Sequence, residues 1–85
     1  MFVYLIQNTE TKEIYIGTTN DLATRLREHN NKGKKFTTRK NGEWKLIYAE
    51  VYRSKKDALA REKRLKYHGS AKVELLKRLQ NSKIV

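Results

Sequence analysis

The chain contains no cysteine, which excludes disulfides and thiolate metal sites. It also lacks any apolar run of membrane-spanning length. Met1 to Gln7 offers neither a basic leader nor a small-residue cleavage site, so the expectation is a cytoplasmic protein that does not enter a membrane. Hydrophobic residues make up only 38% of the 85 positions. A chain this short and this polar has material for one modest core, hence one domain over residues 1–85. A deep enclosed pocket is not expected, and an open surface site is.

Acidic residues are few as well: nine Asp and Glu stand against twenty Lys and Arg, a formal net charge of +11. In so small a domain that imbalance favours a polyanionic partner through counterion release, with nucleic acid first. A merely soluble basic protein is the alternative, because charge speaks to association and not to fold. No internal repeat, linker or low-complexity tract interrupts the chain.

What is present reads as short strands and amphipathic helices. Phe2 to Gln7 and Glu13 to Gly17 are β-branched and aromatic runs of strand length, joined by the polar turn Asn8 to Lys12. A period of two puts Phe2, Tyr4 and Ile6 on one face of the first strand, and Tyr15 with Gly17 on one face of the second. Tyr4 and Tyr15 are then either neighbours at a site or ordinary sheet aromatics. After Gly17 a helix begins, capped by Thr19 or Asn20, with Asp21 favourably placed against its dipole. Leu22, Ala23 and Leu26 form its apolar stripe, while Arg25 and His29, four apart, share another face. A surface ion pair of Arg25 with Asp21 or Glu28 is the structural alternative to a functional role.

Residues 30–43 show no periodicity and carry Lys32, Lys34, Lys35, Arg39 and Lys40 around Phe36. The segment reads as a nucleic-acid backbone clamp or as a solubilising loop. Trp44 to Tyr52 is the longest strand candidate, expected to be covered on both faces. Ser54 caps the next helix, with Asp57 in capping-box position. That helix should bury Ala58, Leu59 and Leu65, yet position 62 on its stripe is Glu. A carboxylate there pairs with a cation such as Lys66 at i+4, holds a metal, or lies at the stripe's edge. Gly69 ends the helix, Tyr67 and His68 fall at the junction, and His68 suits a dipole partner. A last helix packs Leu75, Leu76 and Leu79, and residues 81–85 read as a frayed tail.

The ordered series Val3-Tyr4, Tyr15-Ile16-Gly17, Asn20-Asp21-Leu22, Arg25-Leu26, His29, Trp44 to Tyr48, Ala58, Glu62, Leu65 and Lys66 resembles the GIY-YIG nuclease superfamily. The likeness is to its short stand-alone bacterial members, which look like the N-terminal domain of the excision-repair nuclease. It covers nearly the whole chain. A bare Tyr-Ile-Gly triplet is weak, whereas the spaced series is specific.

Two departures stand out: Phe2 occupies the place of a signature glycine, and Thr18 follows Gly17 where some relatives have Lys. The resemblance implies an α+β fold, with a small, mostly antiparallel three-stranded sheet (a hairpin plus a later strand) and about three helices. It further implies an endonuclease acting on DNA, with RNA as a second substrate class. Tyr4 and Tyr15 would be its paired tyrosines, Arg25 its helix arginine, His29 the residue one turn later, and Glu62 the ligand of one divalent ion, Mg²⁺ or Mn²⁺.

Such a set answers the needs of phosphodiester hydrolysis. Water must be activated and charge stabilised on the phosphoryl oxygens. A hard cation on one carboxylate keeps most of its waters, and an Arg fork matches phosphate. A tyrosine base needs its pKa lowered from about 10, and either tyrosine fits the role. The competing readings are a nucleic-acid-binding module that keeps the fold without cutting, and a small basic protein that binds ribosomal RNA. Nothing in the sequence sets an oligomeric state.

Overall fold

A computed structural model describes residues 1–31 and 42–84. Its elements are β1 (Phe2–Asn8), β2 (Ile14–Thr19), α1 (Leu22–Asn30), β3 (Trp44–Val51), α2 (Lys55–Tyr67) and α3 (Gly69–Arg78). The strands form one antiparallel sheet in the order β2-β1-β3, which is the α+β arrangement expected.

β1 is central, and its alternation organises both layers. Val3 and Leu5 point to the face covered by α2 and α3, where they meet Ile16, Ala58, Leu65, Leu75 and Leu79. Tyr4 and Ile6 point to the other face and cluster with Trp44, Tyr15, Leu22 and Leu26 under α1. Burial of both faces explains why β1 is continuously hydrophobic from Phe2 to Ile6.

The expectation that the Trp44 strand is covered on both sides does not hold. β3 is an edge strand, with Lys45, Leu46 and Val51 exposed; its hydrophobicity resembles that of β1, but pairing order is decided by distant contacts. A bulge also breaks its period of two. Leu5 pairs with Tyr48 and Ile6 with Leu46, so Ile47 is passed over and packs with Tyr48 against the same core.

The hairpin turn is built by Asn8, whose Oδ1 accepts from the N–H groups of Glu10 (2.9 Å) and Thr11 (3.0 Å). Lys12 closes it at φ 65°. Gly42 crosses this turn with φ +88°, where a Cβ would stand 2.5 Å from Asn8 Oδ1. Contact and dihedral both call for glycine.

Three local expectations are corrected. Asp21, not Thr19 or Asn20, is the α1 N-cap, accepting from Thr24 N–H at 3.1 Å; three cap-competent residues run in succession, and the helix start selects the last. Ala23 and Leu59 are exposed, because each lies beside the true contact stripe. The chain end is held through Ile84, whose N–H donates to Gln7 Oε1 at 2.7 Å and whose carbonyl accepts from Gln7 Nε2 at 3.2 Å. Ser54 caps α2 as expected, and exposed His68 joins α2 to α3, its N–H donating to the Arg64 carbonyl at 2.9 Å.

Candidate active site

One cleft of about 470 Å³ is lined by Tyr4 from β1, Tyr15, Gly17 and Thr18 from β2, Arg25 from α1 and Glu62 from α2. Four of the five residues proposed from sequence as catalytic therefore share a surface, contributed by four separate elements. The fifth, His29, stands behind it.

Strand pairing sets the two tyrosines. Tyr4 lies opposite Gly17 and Ile6 opposite Tyr15, which puts the tyrosine rings on the same face with centroids 6.4 Å apart. Gly17 makes room for this. A Cβ at position 17 would sit 2.5 Å from the Tyr4 hydroxyl oxygen and 2.7 Å from Cζ, so the glycine of the Tyr-Ile-Gly triplet is required by the phenol packed across it.

His29 is the buried residue of α1. Its Nε2 is 3.0 Å from the Tyr4 hydroxyl, and its ring lies 4.8 Å from that of Tyr15 and 6.3 Å from that of Trp44. Placement of Arg25 and His29 four residues apart thus yields two depths: Arg25 reaches the cleft, and His29 supports its inner wall. Burial, reinforced by Tyr15, pushes the Tyr4 hydroxyl well above the ordinary phenol range despite an opposing pull from Arg25. Tyr4 accordingly keeps its proton at neutral pH unless it passes that proton to a partner, and the partner in reach is His29.

Arg25 is half exposed and pairs with Glu28 at 3.4 Å, an i,i+3 contact worth a few tenths of a kcal/mol. So weak a tether leaves its guanidinium available to a phosphate. Glu62 is more enclosed. One carboxylate oxygen accepts from the Thr18 hydroxyl, and the other is 2.7 Å from the Lys66 ammonium. Of the three expectations for Glu62, the i+4 pair with Lys66 is present, and the carboxylate also lines the cleft. Contact with Glu62 raises the Lys66 pKa above its ordinary value.

Glu62 presents hard oxygen donors at the edge of the cleft. Among the described residues no group of three His, Cys, Asp or Glu side chains gathers to hold an ion. A cation held by Glu62 would draw its other ligands largely from water and substrate oxygens, which would suit Mg²⁺ better than a metal needing a protein cage. The donor set fits.

Lys32, Lys34, Lys35, Arg39 and Lys40, expected to bind nucleic acid, lie outside the described residues. Among the described residues, the Asn30 side-chain amide accepts from Trp44 N–H at 2.8 Å and donates to Trp44 C=O at 3.0 Å. Sequence reasoning assigned no role to Asn30, Thr18 or the Trp44 ring. An asparagine ending a helix and a threonine following a signature glycine are common, and only tertiary pairing reveals their partners.

A family model described as the GIY-YIG catalytic domain matches residues 1–77. UPF0213 protein CPE1444 of Clostridium perfringens (strain 13 / Type A) is 39% identical over 62 residues, which are 72% of this chain and 64% of that protein. The chain thus matches less than two thirds of that relative's length. No solved structure matches. Among the described residues no helix is long and apolar enough to cross a membrane. With the family match running through all six elements and the Tyr-Ile-Gly strand laid against Tyr4, the chain belongs to the GIY-YIG family.

Proposed function

We propose that this protein is a Mg²⁺-dependent endonuclease that hydrolyses phosphodiester bonds in DNA. The supporting observation is the convergence of Tyr4, Tyr15, Arg25 and Glu62 on one open cleft, in a chain of net charge +11 and of a nuclease-type family. An open cleft suits a polymer, whose backbone must enter and leave sideways. The excess of cations supplies non-specific, salt-sensitive attraction. A family of nucleases that act on nucleic acids makes DNA the first substrate to test, and RNA the second.

In this reading Glu62 holds the cation, with Thr18 orienting the carboxylate through its other oxygen. When bound, the cation supplies charge stabilisation to the phosphoryl and leaving oxygens and acidity to a coordinated water. Arg25 neutralises the scissile phosphate through its planar donors. Tyr4 and His29 act together on the proton: the Tyr4 hydroxyl proton passes to His29 Nε2 as the phenol oxygen takes one from the attacking water. No phenolate then accumulates, which the elevated Tyr4 pKa would oppose. Tyr15, in ring contact with His29, positions the imidazole and borders the phosphate.

Incubation with plasmid, branched DNA, single-stranded DNA and RNA, in Mg²⁺ or in EDTA, tests the assignment. Scission in Mg²⁺ and none in EDTA is expected, with loss in both Arg25→Ala and Glu62→Ala. Tight binding without scission in either medium would establish the alternative, a non-catalytic nucleic-acid-binding module. That alternative draws its support from the Lys66 and Thr18 contacts, which already satisfy both Glu62 oxygens.

A further inference from the structure

Lys66 is an unusual neighbour for a metal ligand. Its Nζ stands 2.7 Å from Glu62 Oε2, and the Glu62 side chain is only 18% exposed, so an enclosed carboxylate is met by an ammonium that reaches in from the solvent side. Thr18 occupies the remaining oxygen. A divalent ion taking an oxygen of Glu62 would stand within a few ångströms of the Lys66 ammonium, a like charge. Two cations cannot share one carboxylate at that distance without strong repulsion, whereas exchange between them needs only rotation of a long, unbranched side chain anchored on an exposed helix position.

We propose that Lys66 is a built-in competitor for the metal at Glu62, holding the carboxylate in the metal-free protein and leaving it when the ion binds. This rests on the metal reading above and adds a regulated loading step to it. Affinity for the ion is set by the difference between two occupants of the same carboxylate, and anything that draws the ammonium away tightens metal binding by the same factor that metal binding tightens it. The phosphate backbone of a substrate strand entering the cleft is a group of that kind. Metal loading and substrate binding are therefore coupled through one lysine.

Titration with Mn²⁺, following the electron paramagnetic resonance signal of the free ion, tests this without reference to activity. Lys66→Met should bind Mn²⁺ about tenfold more tightly than wild type or better, and Lys66→Arg, which keeps the charge, should not. Lys63→Met removes an exposed cation from the same helix and should leave affinity close to wild type; a gain equal to that of Lys66→Met would reduce the effect to net charge and overturn the proposal. Equal or weaker binding in Lys66→Met, with a helical circular dichroism melt like that of wild type, would also overturn it. Glu62→Gln separates the two levels. Binding that survives Glu62→Gln removes the metal reading itself, while binding that requires Glu62 but ignores Lys66 removes only the competition.

Discussion

The Tyr4 hydroxyl and His29 Nε2 lie 3.0 Å apart, joining the centre of the sheet to the last turn of α1 across 25 residues of chain. Both residues are almost wholly buried, at 3% and 5% exposure. Tyr4→Phe removes the tyrosine's half of this bond, and is expected to cost about 1–3 kcal/mol, seen as a lower urea midpoint at unchanged m-value.

If the pair moves the proton as a unit, Tyr4→Phe and His29→Ala should each lower scission by a factor on the order of 10² or more. The double variant should fall little below the worse single variant. Losses that multiply would show two independent roles instead.

Gly17 provides a test of positioning. Gly17→Ala puts a methyl group 2.5 Å from the Tyr4 hydroxyl, so the phenol or the strand must shift and the Tyr4–His29 contact is disturbed. A stability loss of about 1–3 kcal/mol from overpacking is expected, together with a drop in scission at temperatures where the variant is folded. Gly69→Ala is the matched control. Nothing lies within 4 Å of a Cβ there, and at the start of α3 alanine should be neutral or stabilising by up to about 1 kcal/mol. Differential scanning calorimetry of both variants distinguishes the two sites.

Asn30 ties the end of α1 to the start of β3 through both backbone groups of Trp44. Asn30→Ala removes both hydrogen bonds beside a buried tryptophan, at an expected cost of about 1–3 kcal/mol. Hydrogen exchange should show the change first at the Trp44 amide. Asn30→Asp keeps the acceptor and loses the donor, so it should protect the amide and still destabilise the fold.

Away from the cleft, Glu50 accepts from Arg61 Nε, from an Arg61 terminal nitrogen at 3.0 Å, and from the Tyr48 and Tyr52 hydroxyls. Burial alone would raise its pKa, but the hydrogen bonds from Arg61, Tyr48 and Tyr52 outweigh burial and hold it below the ordinary carboxylate value of 4.5. A carboxyl depressed in the folded state contributes stability that is present above its unfolded pKa and lost as pH falls through the folded one. Thermal melts of wild type should therefore drop as pH is lowered below about 4.5. Glu50→Gln should be less stable at neutral pH and show a shallower acid limb. An acid limb as steep as that of wild type would show that other carboxylates govern it.

Much of this was legible in the residues. Strand alternation made Tyr4 and Tyr15 candidates for neighbours, with the register that joins them supplied by the fold, and Glu62 stood out as a carboxylate on an otherwise apolar α2 stripe. Contacts made by groups distant in sequence were not legible. The cap at Asp21 was obscured by three adjacent capping residues, and the edge position of β3 by a hydrophobicity that suits an interior strand. The depth of His29 was hidden because helical spacing gives a direction and not a distance. Thr18 read as a departure from a signature, and its contact with Glu62 depends on α2 crossing β2.

In the proposed mechanism, Glu62 makes scission metal-dependent. Its most direct test is the rate of supercoiled-plasmid nicking in Mg²⁺ by wild type and by Glu62→Ala, each purified identically and shown to be folded. The expected result is a fall on the order of 10²–10³-fold or more, to the level of wild type in EDTA. Nicking by Glu62→Ala at the wild-type rate would contradict it.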